Sequence, residues 1–431
     1  MRRSLVLLLI LLVTASVSCT DRRYYQVSGY AQGGTYSVKY RGASARPERV
    51  RDLTDSLLRE IDFTLSGYNK NSLLSRLNRG DTVVLSPMFA EIYRLSYEMW
   101  QLSGGAFDVA CGPLFDIWGF GFTGGEMPSD SDIARVLASC GMSRLIAPDL
   151  VDSLVAAGQP VTGLDLCVKH STITDHSQSV IPDHSKTLIP DPIGDLPVLN
   201  FNAIAQGYSC DLVFNMLRGL GVTDMLVDIG EIRCCGLNPL GKGWSIGIDN
   251  PVDGNDKPGE DIRQVWTSDG GDRGVVTSGN YRKFYIRDGR KYSHTIDPRT
   301  GRPVEHNLLS ATVIVPGDVS CNSSGSLSSP RDSSGVSNAR SSLRESSGVS
   351  NSRSSLRESS GVSNTRSISP ESLFAAAEAD ALATIFMVIG FDASREFLKA
   401  HPDLEVYLIT SDAVWSSLDH TWSSPDLVGD K

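Results

Sequence analysis

A serine-rich segment with a thirteen-residue period splits this chain before any core can be traced through it. The unit Ser-Ser-Gly-Val-Ser-Asn-x-Arg-Ser-Ser-Leu-Arg-Glu starts at Ser333, Ser346 and Ser359, and the third copy breaks down after Arg366. Longer apolar repeats stack into solenoids. These units are too short and too polar to bury a face, so the region from about Asp318 to Pro370 is expected to be a flexible, disordered loop. A second low-complexity stretch, about Val168 to Pro197, carries an eight-residue near-repeat, His176 to Asp183 and then His184 to Asp191. Its His170, His176 and His184 lack the tight spacing of a metal site. The folded part is therefore expected as one domain over residues 30–415 with two inserts, followed by a tail at 416–431.

The N-terminus has the form of a secretion signal. Arg2 and Arg3 precede the apolar run Leu5 to Val13, and small residues follow. The run is shorter than the ~20 residues of a membrane span and suits a signal peptide over residues 1–18. Ser16-Val17-Ser18-Cys19 resembles a bacterial lipobox, with Ser16 where leucine is usual. Cys19 is then the expected lipidation site, and residues 19–29 a tether. A signal peptide cut beside an ordinary cysteine is the alternative. A lipoprotein outside the cytoplasm is expected, most simply on the inner membrane facing the periplasm. The formal net charge of −10 argues against nucleic acid as a partner. Seven cysteines remain after Cys19, without a CxxC pair, so they are expected mostly as small buried residues, with one or two disulfides as the alternative in an oxidising compartment.

Helical periodicity marks Pro47–Leu65, Ser86–Leu102, Ser131–Cys140, Ile204–Leu220 and Leu373–Ile389, the last ended by Gly390. Strand patterns cover Met225–Gly236, Gly243–Asp249, Gly274–Thr277, Arg282–Arg287 and Leu308–Val315. The irregular mixture favours an α+β fold over a doubly wound sheet.

Several strings could carry chemistry. Ser293-His294-Thr295-Ile296-Asp297-Pro298-Arg299-Thr300-Gly301-Arg302-Pro303 sets a histidine, an aspartate and two arginines about a turn. It reads as a catalytic loop or as a solvated surface turn. Asp380 and Thr384 share one face of an alanine-rich helix. Oxygen ligands of this kind suit Mg²⁺, and an exposed helical stripe is the alternative. Leu199 to Asp211 runs from an apparent strand through small residues into a helix whose N-terminus could face phosphate. Gly104-Gly105-Ala106-Phe107-Asp108, with Gly112-Pro113-Leu114 and Trp118-Gly119-Phe120-Gly121, could form a slot for a ring system or a packed loop. Gly33-Gly34-Thr35-Tyr36 is a weak phosphate-loop candidate, lacking the P-loop lysine. Neither GxSxG nor HExxH occurs, which weakens hydrolase and zinc-protease readings.

Taken in order, these blocks resemble the ApbE family of bacterial FAD:protein FMN transferases, over most of residues 30 to 410. The series also includes Leu65-Ser66 to Tyr68, Asp228-Ile229-Gly230-Glu231 and Thr277 to Arg282. The resemblance implies Mg²⁺-dependent transfer of FMN from FAD to a threonine or serine hydroxyl of a target protein, releasing AMP. Expected targets are extracytoplasmic subunits of respiratory electron-transfer complexes. It implies metal ligation by the Ala203 carbonyl, Asp380 and Thr384, and catalysis by His294. It implies an FAD site lined by Gly33, Tyr68, Ala106, Phe107, Asp108, Asn200, Gln206 and Ile296. Asp297 is placed to orient the His294 imidazole. Arg299 and Arg302 could meet phosphate or target, or brace the loop. Trp118 and Phe120 are expected to pack near the site. The chain departs from the family at Gln206, where lysine is common, at Asn200, where aspartate is usual, and at Gly33, where methionine often stands. These departures bear on FAD affinity more than on reaction class. Two other readings share the same residues: a metal-dependent FAD pyrophosphatase, and a flavin-binding surface lipoprotein without activity.

Overall fold

A computed structural model describes residues 23–42, 45–120, 127–168, 197–252, 254–255, 257, 259–281, 284–287, 289–318, 372–418 and 422–423. Cys19, the signal segment, the histidine-containing insert and the thirteen-residue repeats lie outside the described residues.

The chain opens with a hairpin, β1 (Tyr24–Ala31) and β2 (Gly34–Arg41), paired from Tyr24 with Arg41 to Ala31 with Gly34. Gln32 and Gly33 form its tip at φ 52° and 81°. The Gly33 string is thus a hairpin turn and not a phosphate loop, because positive φ at both central residues matches strand twist. Helices α1 (Pro47–Leu65), α2 (Leu73–Asn78), α3 (Pro87–Leu102), α4 (Gly112–Ile117), α5 (Asp130–Ser139) and α6 (Pro148–Ala157) follow. The short pair β3 (Val83–Val84) and β4 (Pro160–Val161) joins this region to itself. Helix α7 (Ala205–Gly219) then leads into the sheet strands.

Those strands are β5 (Met225–Asp228), β6 (Ile232–Cys235), β7 (Ser245–Asp249), β8 (Ile262–Thr267), β9 (Arg273–Gly279), β10 (Phe284–Arg287), β11 (Arg290–Ser293), β12 (Ile296–Asp297), β13 (Arg302–Pro303) and β14 (Leu308–Pro316). Helix α8 (Ala375–Ala400) and strands β15 (Glu405–Thr410), β16 (Val414–Ser416) and β17 (Trp422–Ser423) complete the chain. The main sheet has eight strands in the order β1-β2-β5-β6-β9-β14-β15-β16. Each neighbouring pair is antiparallel. This agrees with the α+β expectation.

Side-chain alternation divides the sheet into two buried faces. Met225, Val227, Cys235, Val313, Val406 and Leu408 pack toward the helices. Leu226, Cys234, Ile314, Tyr407 and Ile409 pack instead with Trp244, Ile246 and Trp266 of the small β7-β8-β17 sheet. A helical layer, the main sheet and a smaller sheet therefore form three layers. Cys234 and Cys235 fall on opposite faces, as strand geometry requires.

Three expectations change. Met225–Gly236 is a hairpin, turned by Ile229-Gly230-Glu231, with Gly230 at φ 93°. Leu199 and Asn200 lead into α7 as irregular chain. Gly390 (φ 79°, ψ 177°) breaks α8 as expected, but helical residues resume and continue to Ala400. The second insert leaves and re-enters at one place. Gly317 bridges Ser372, the Ser372 N–H donates to Pro316 at 3.4 Å, and the Asp318 N–H donates to Ser372 at 3.2 Å.

Candidate active site

Helix α8 runs between α7 and the sheet at very close range. A Cβ on Gly207 would lie 2.3 Å from the Ala376 carbonyl oxygen, and one on Gly274 would lie 2.3 Å from Ala375. Only glycine on one side and alanine on the other permit this approach. The two helices exchange carboxylates across it. Asp211 of α7 accepts from the Ala376 and Ala377 N–H groups at 3.0 and 2.8 Å, which no intrahelical acceptor can reach. Asp380 of α8 in turn accepts from the Gly207 N–H at 3.1 Å.

The first N–H groups of α7 have no intrahelical acceptor, and that of Gly207 is satisfied by Asp380. Tyr208 donates to the N-cap Ile204 at 3.0 Å, and no backbone hydrogen bond among the described residues ends on the carbonyl oxygen of Ala203, one residue before that cap. Thr384 follows Asp380 by about one turn and is half-buried among buried neighbours.

Burial pushes Asp380 up to about 7, the Gly207 N–H opposes this, and the Asp211 charge adds to it. Burial likewise raises Asp211 to about 6 against the pull of Arg233. Arg233, on β6 and fully buried, donates to Asp211 at 2.8 Å and to Asp272 at 3.0 and 2.8 Å. It also donates to the Leu373 carbonyl at 2.6 Å, fixing the entry to α8. Burial disfavours its charge, and the two carboxylates outweigh that effect. A buried carboxylate, a carbonyl with no backbone donor among the described residues and a half-buried hydroxyl are hard oxygen donors that fit Mg²⁺. Neither Arg233 nor Asp272 stood out in the sequence. The available signal was an arginine inside the apolar strand Ile232–Cys235.

Three of the positions expected to line FAD, Asn200, Gln206 and the Gly33 tip, lie at the α7 side of this crossing. Asn200 donates its N–H to Val109 at 2.7 Å, and its side-chain oxygen accepts from the Asn202 N–H at 3.0 Å, shaping the turn that carries Ala203. Gln206 donates to the Ile229 carbonyl at 3.3 Å and packs on Gly230. The Gln32-Gly33 tip reaches the same helix, through Gln32 Nε2 donating to Ser209 Oγ at 2.6 Å. Tyr68 is 71% exposed on a turn that Ser66 holds through the N–H groups of Tyr68 and Asn69.

Other candidates are placed differently. Ala106 and Phe107 are buried, with the Phe107 ring in the main core. Asp108 accepts from the Ala110 and Met142 N–H groups at 2.8 and 3.0 Å, and burial raises its pKa. This segment thus offers a ligand backbone more readily than side chains. Ile296 is also buried, against Leu114 and Trp118.

His294 lies between β11 and β12, half-buried. Phe120 meets its ring edge-on at 6.4 Å. The following loop is tied at several points. Thr295 donates to Asn280 at 2.5 Å, and the Trp118 indole N–H donates to the Gly301 carbonyl at 2.7 Å. Asp297 accepts from Arg299 at both oxygens, at 2.9 and 2.8 Å. Its carboxylate serves the loop's own arginine, which corrects the expectation that it orients His294. Arg302 donates to Asp130 at 2.7 Å, so both arginines brace the loop. Trp118 and Phe120 do pack beside it.

The model of the ApbE family matches residues 32–329. The FAD:protein FMN transferase of Vibrio cholerae is 32% identical over 332 residues, covering 74% of this chain and 84% of that protein. The Escherichia coli K12 enzyme of the same name is 30% identical over 299 residues, 67% and 73% of the two chains. Among solved structures, the Pseudomonas stutzeri flavinyl transferase ApbE in its apo form aligns with TM-score 0.62 and 25% identity, over 93% of this chain and 96% of that one. The Vibrio cholerae flavin transferase ApbE aligns at 0.60 and 24%, over 91% and 97%. On these matches the chain belongs to the ApbE family and transfers FMN from FAD to protein.

Proposed function

We propose that the acceptor is a threonine or serine hydroxyl on an extracytoplasmic respiratory subunit, that Mg²⁺ is required, and that AMP leaves. The observation that supports the metal assignment is the buried Asp380 carboxylate meeting the first turn of α7 at Gly207, close in sequence to an Ala203 carbonyl on which no backbone hydrogen bond among the described residues ends. Ala203, Asp380 and Thr384 would hold Mg²⁺. When bound, it would neutralise the FAD phosphates as charge shifts between them.

The chain's own groups do the rest. Asp211 and Arg233 fix the register of the two helices. Tyr68, Asn200 and Gln206, with the Gly33 tip and the Ala106–Asp108 and Ile296 backbone, would bind and orient FAD. His294 accepts the hydroxyl proton, a task suited to a neutral imidazole. The hydroxyl oxygen bonds to the FMN phosphorus, the pyrophosphate bond breaks, and AMP departs with the electron pair. Lipidation at Cys19 would tether the enzyme outside the cytoplasm, where such acceptors face it.

The test combines the mature chain, FAD, Mg²⁺ and a respiratory acceptor subunit, beside His294→Ala. An acceptor band that fluoresces on a denaturing gel and gains one FMN by intact mass, absent with His294→Ala, is the expected result. Free FMN and AMP with an unmodified acceptor would instead identify a pyrophosphatase.

A further inference from the structure

We infer that Phe120 is a positioning residue for His294, itself held by a stack of three further rings. The inference rests on His294 as the proposed base. Phe120 faces the imidazole with centroids 6.4 Å apart and planes at 68°. It also stacks on Tyr285, at 5.1 Å and 29°. Tyr285 stacks on Tyr292 at 5.3 Å and 20°, and Tyr292 on Trp118 at 6.0 Å and 28°.

The series closes on itself. Trp118 and Phe120 flank Gly119, whose φ is 77°. Tyr292 and His294 flank Ser293 at the end of β11. Trp118 also holds the Gly301 carbonyl at the far side of the same loop, at 2.7 Å. The segment 118–120 therefore grips the loop at Gly301 and at His294, with two tyrosines as the spacer. Offset and edge-to-face ring contacts have preferred geometry, unlike aliphatic packing. They restrict rotation of an imidazole whose lone pair must point at the acceptor hydroxyl.

The experiment measures kcat, KM for FAD and thermal midpoint in the full chain for Phe120→Leu, Phe120→Tyr, Tyr285→Leu and His294→Ala. Misplacing a reacting group by about 1 Å can cost about a hundredfold. Phe120→Leu is therefore expected to lower kcat about ten- to a hundredfold, with KM for FAD within about twofold. Phe120→Tyr should restore kcat to within about threefold, since the ring contact survives. Tyr285→Leu, one ring further back, should give a smaller loss with the same kcat signature, and it decides the matter if Phe120→Leu does not fold. A folded Phe120→Leu with wild-type kcat would overturn the inference. So would a raised KM at unchanged kcat, which would make Phe120 a wall of the FAD site. Full transfer by His294→Ala would sink the base assignment itself. An inactive His294→Ala beside a fully active Phe120→Leu would sink the ring inference alone.

Discussion

Around Asp380 the supporting contacts are buried and lead into the core. Arg233, Asp211 and Asp272 are sealed from water, and glycine and alanine set the helix spacing. Around His294 the ion pairs are open: Arg299 is 45% exposed in its pair with Asp297, and Arg302 and Asp130 are 48% and 90% exposed. Rings and hydrogen bonds hold that loop together with these exposed pairs. A cation site needs fixed oxygens before the cation arrives. A base that meets a protein acceptor must lie where a second chain can reach it. The two supports match the needs of the proposed cation site and of the proposed base, and substitutions should separate them.

The largest effect is expected from Asp380→Asn, which removes the charge that balances a divalent cation. FMN transfer should fall about a thousandfold or more. Measured against Mg²⁺ concentration, the thermal midpoint should also lose its Mg²⁺ response. An unchanged response would place the metal elsewhere.

Arg233→Met should be the most damaging substitution to the fold. It leaves Asp211 and Asp272 buried without a cation, at a cost of about 3–5 kcal/mol. Urea unfolding measures this directly. A loss below about 1 kcal/mol would mean that water reaches the pair.

The Asp380 pKa gives a signed pH effect. Its folded value of about 7 lies above the ordinary 3.8, so the metal-free fold binds the proton more tightly than the unfolded chain. Its contribution is full below the unfolded value and is lost as pH rises through the folded one. Under the proposed metal assignment, Mg²⁺ would compete with that proton. The rise in thermal midpoint on adding Mg²⁺ should therefore grow from pH 6 to pH 8 (on the order of one unit either side of the folded value). A gain that is flat over this range would contradict the assignment.

Arg302→Ala should give the smallest effect, within about 1 kcal/mol of stability, because both partners are exposed. A severe loss of transfer at wild-type stability would show that Arg302 meets the acceptor or phosphate and does not merely brace the loop.

What the sequence made legible follows from periodicity. Pro47–Leu65 places Val50, Thr54, Leu58, Ile61 and Leu65 on one buried face, and its limits were predicted to the residue. The β1–β2 hairpin escaped notice because polar and aromatic residues mix along both strands. Met225–Gly236 looked like one strand because Ile229, at its turn, is apolar and buried. Asp380, Thr384 and Ala203 could be named from resemblance. The reciprocal bonds of Asp380 and Asp211 could not, since they join residues 173 and 165 positions apart. Asp297 was assigned to its neighbour in sequence, His294, while its geometry favours another neighbour, Arg299.

The bridge between Gly317 and Ser372 has a consequence for how this sequence can drift. The segment between Asp318 and Ser372 starts and ends at a fixed point. For the loop that its polar repeat leads one to expect from sequence, length would enter the free energy of the fold only through the logarithm of loop size. On that expectation a fourth thirteen-residue copy would cost about 0.2 kcal/mol, losing one would return a similar amount, and copy number would be almost invisible to folding. Slippage within the repeat could lengthen or shorten it from one lineage to the next, and selection would have to act through something other than the stability of the domain.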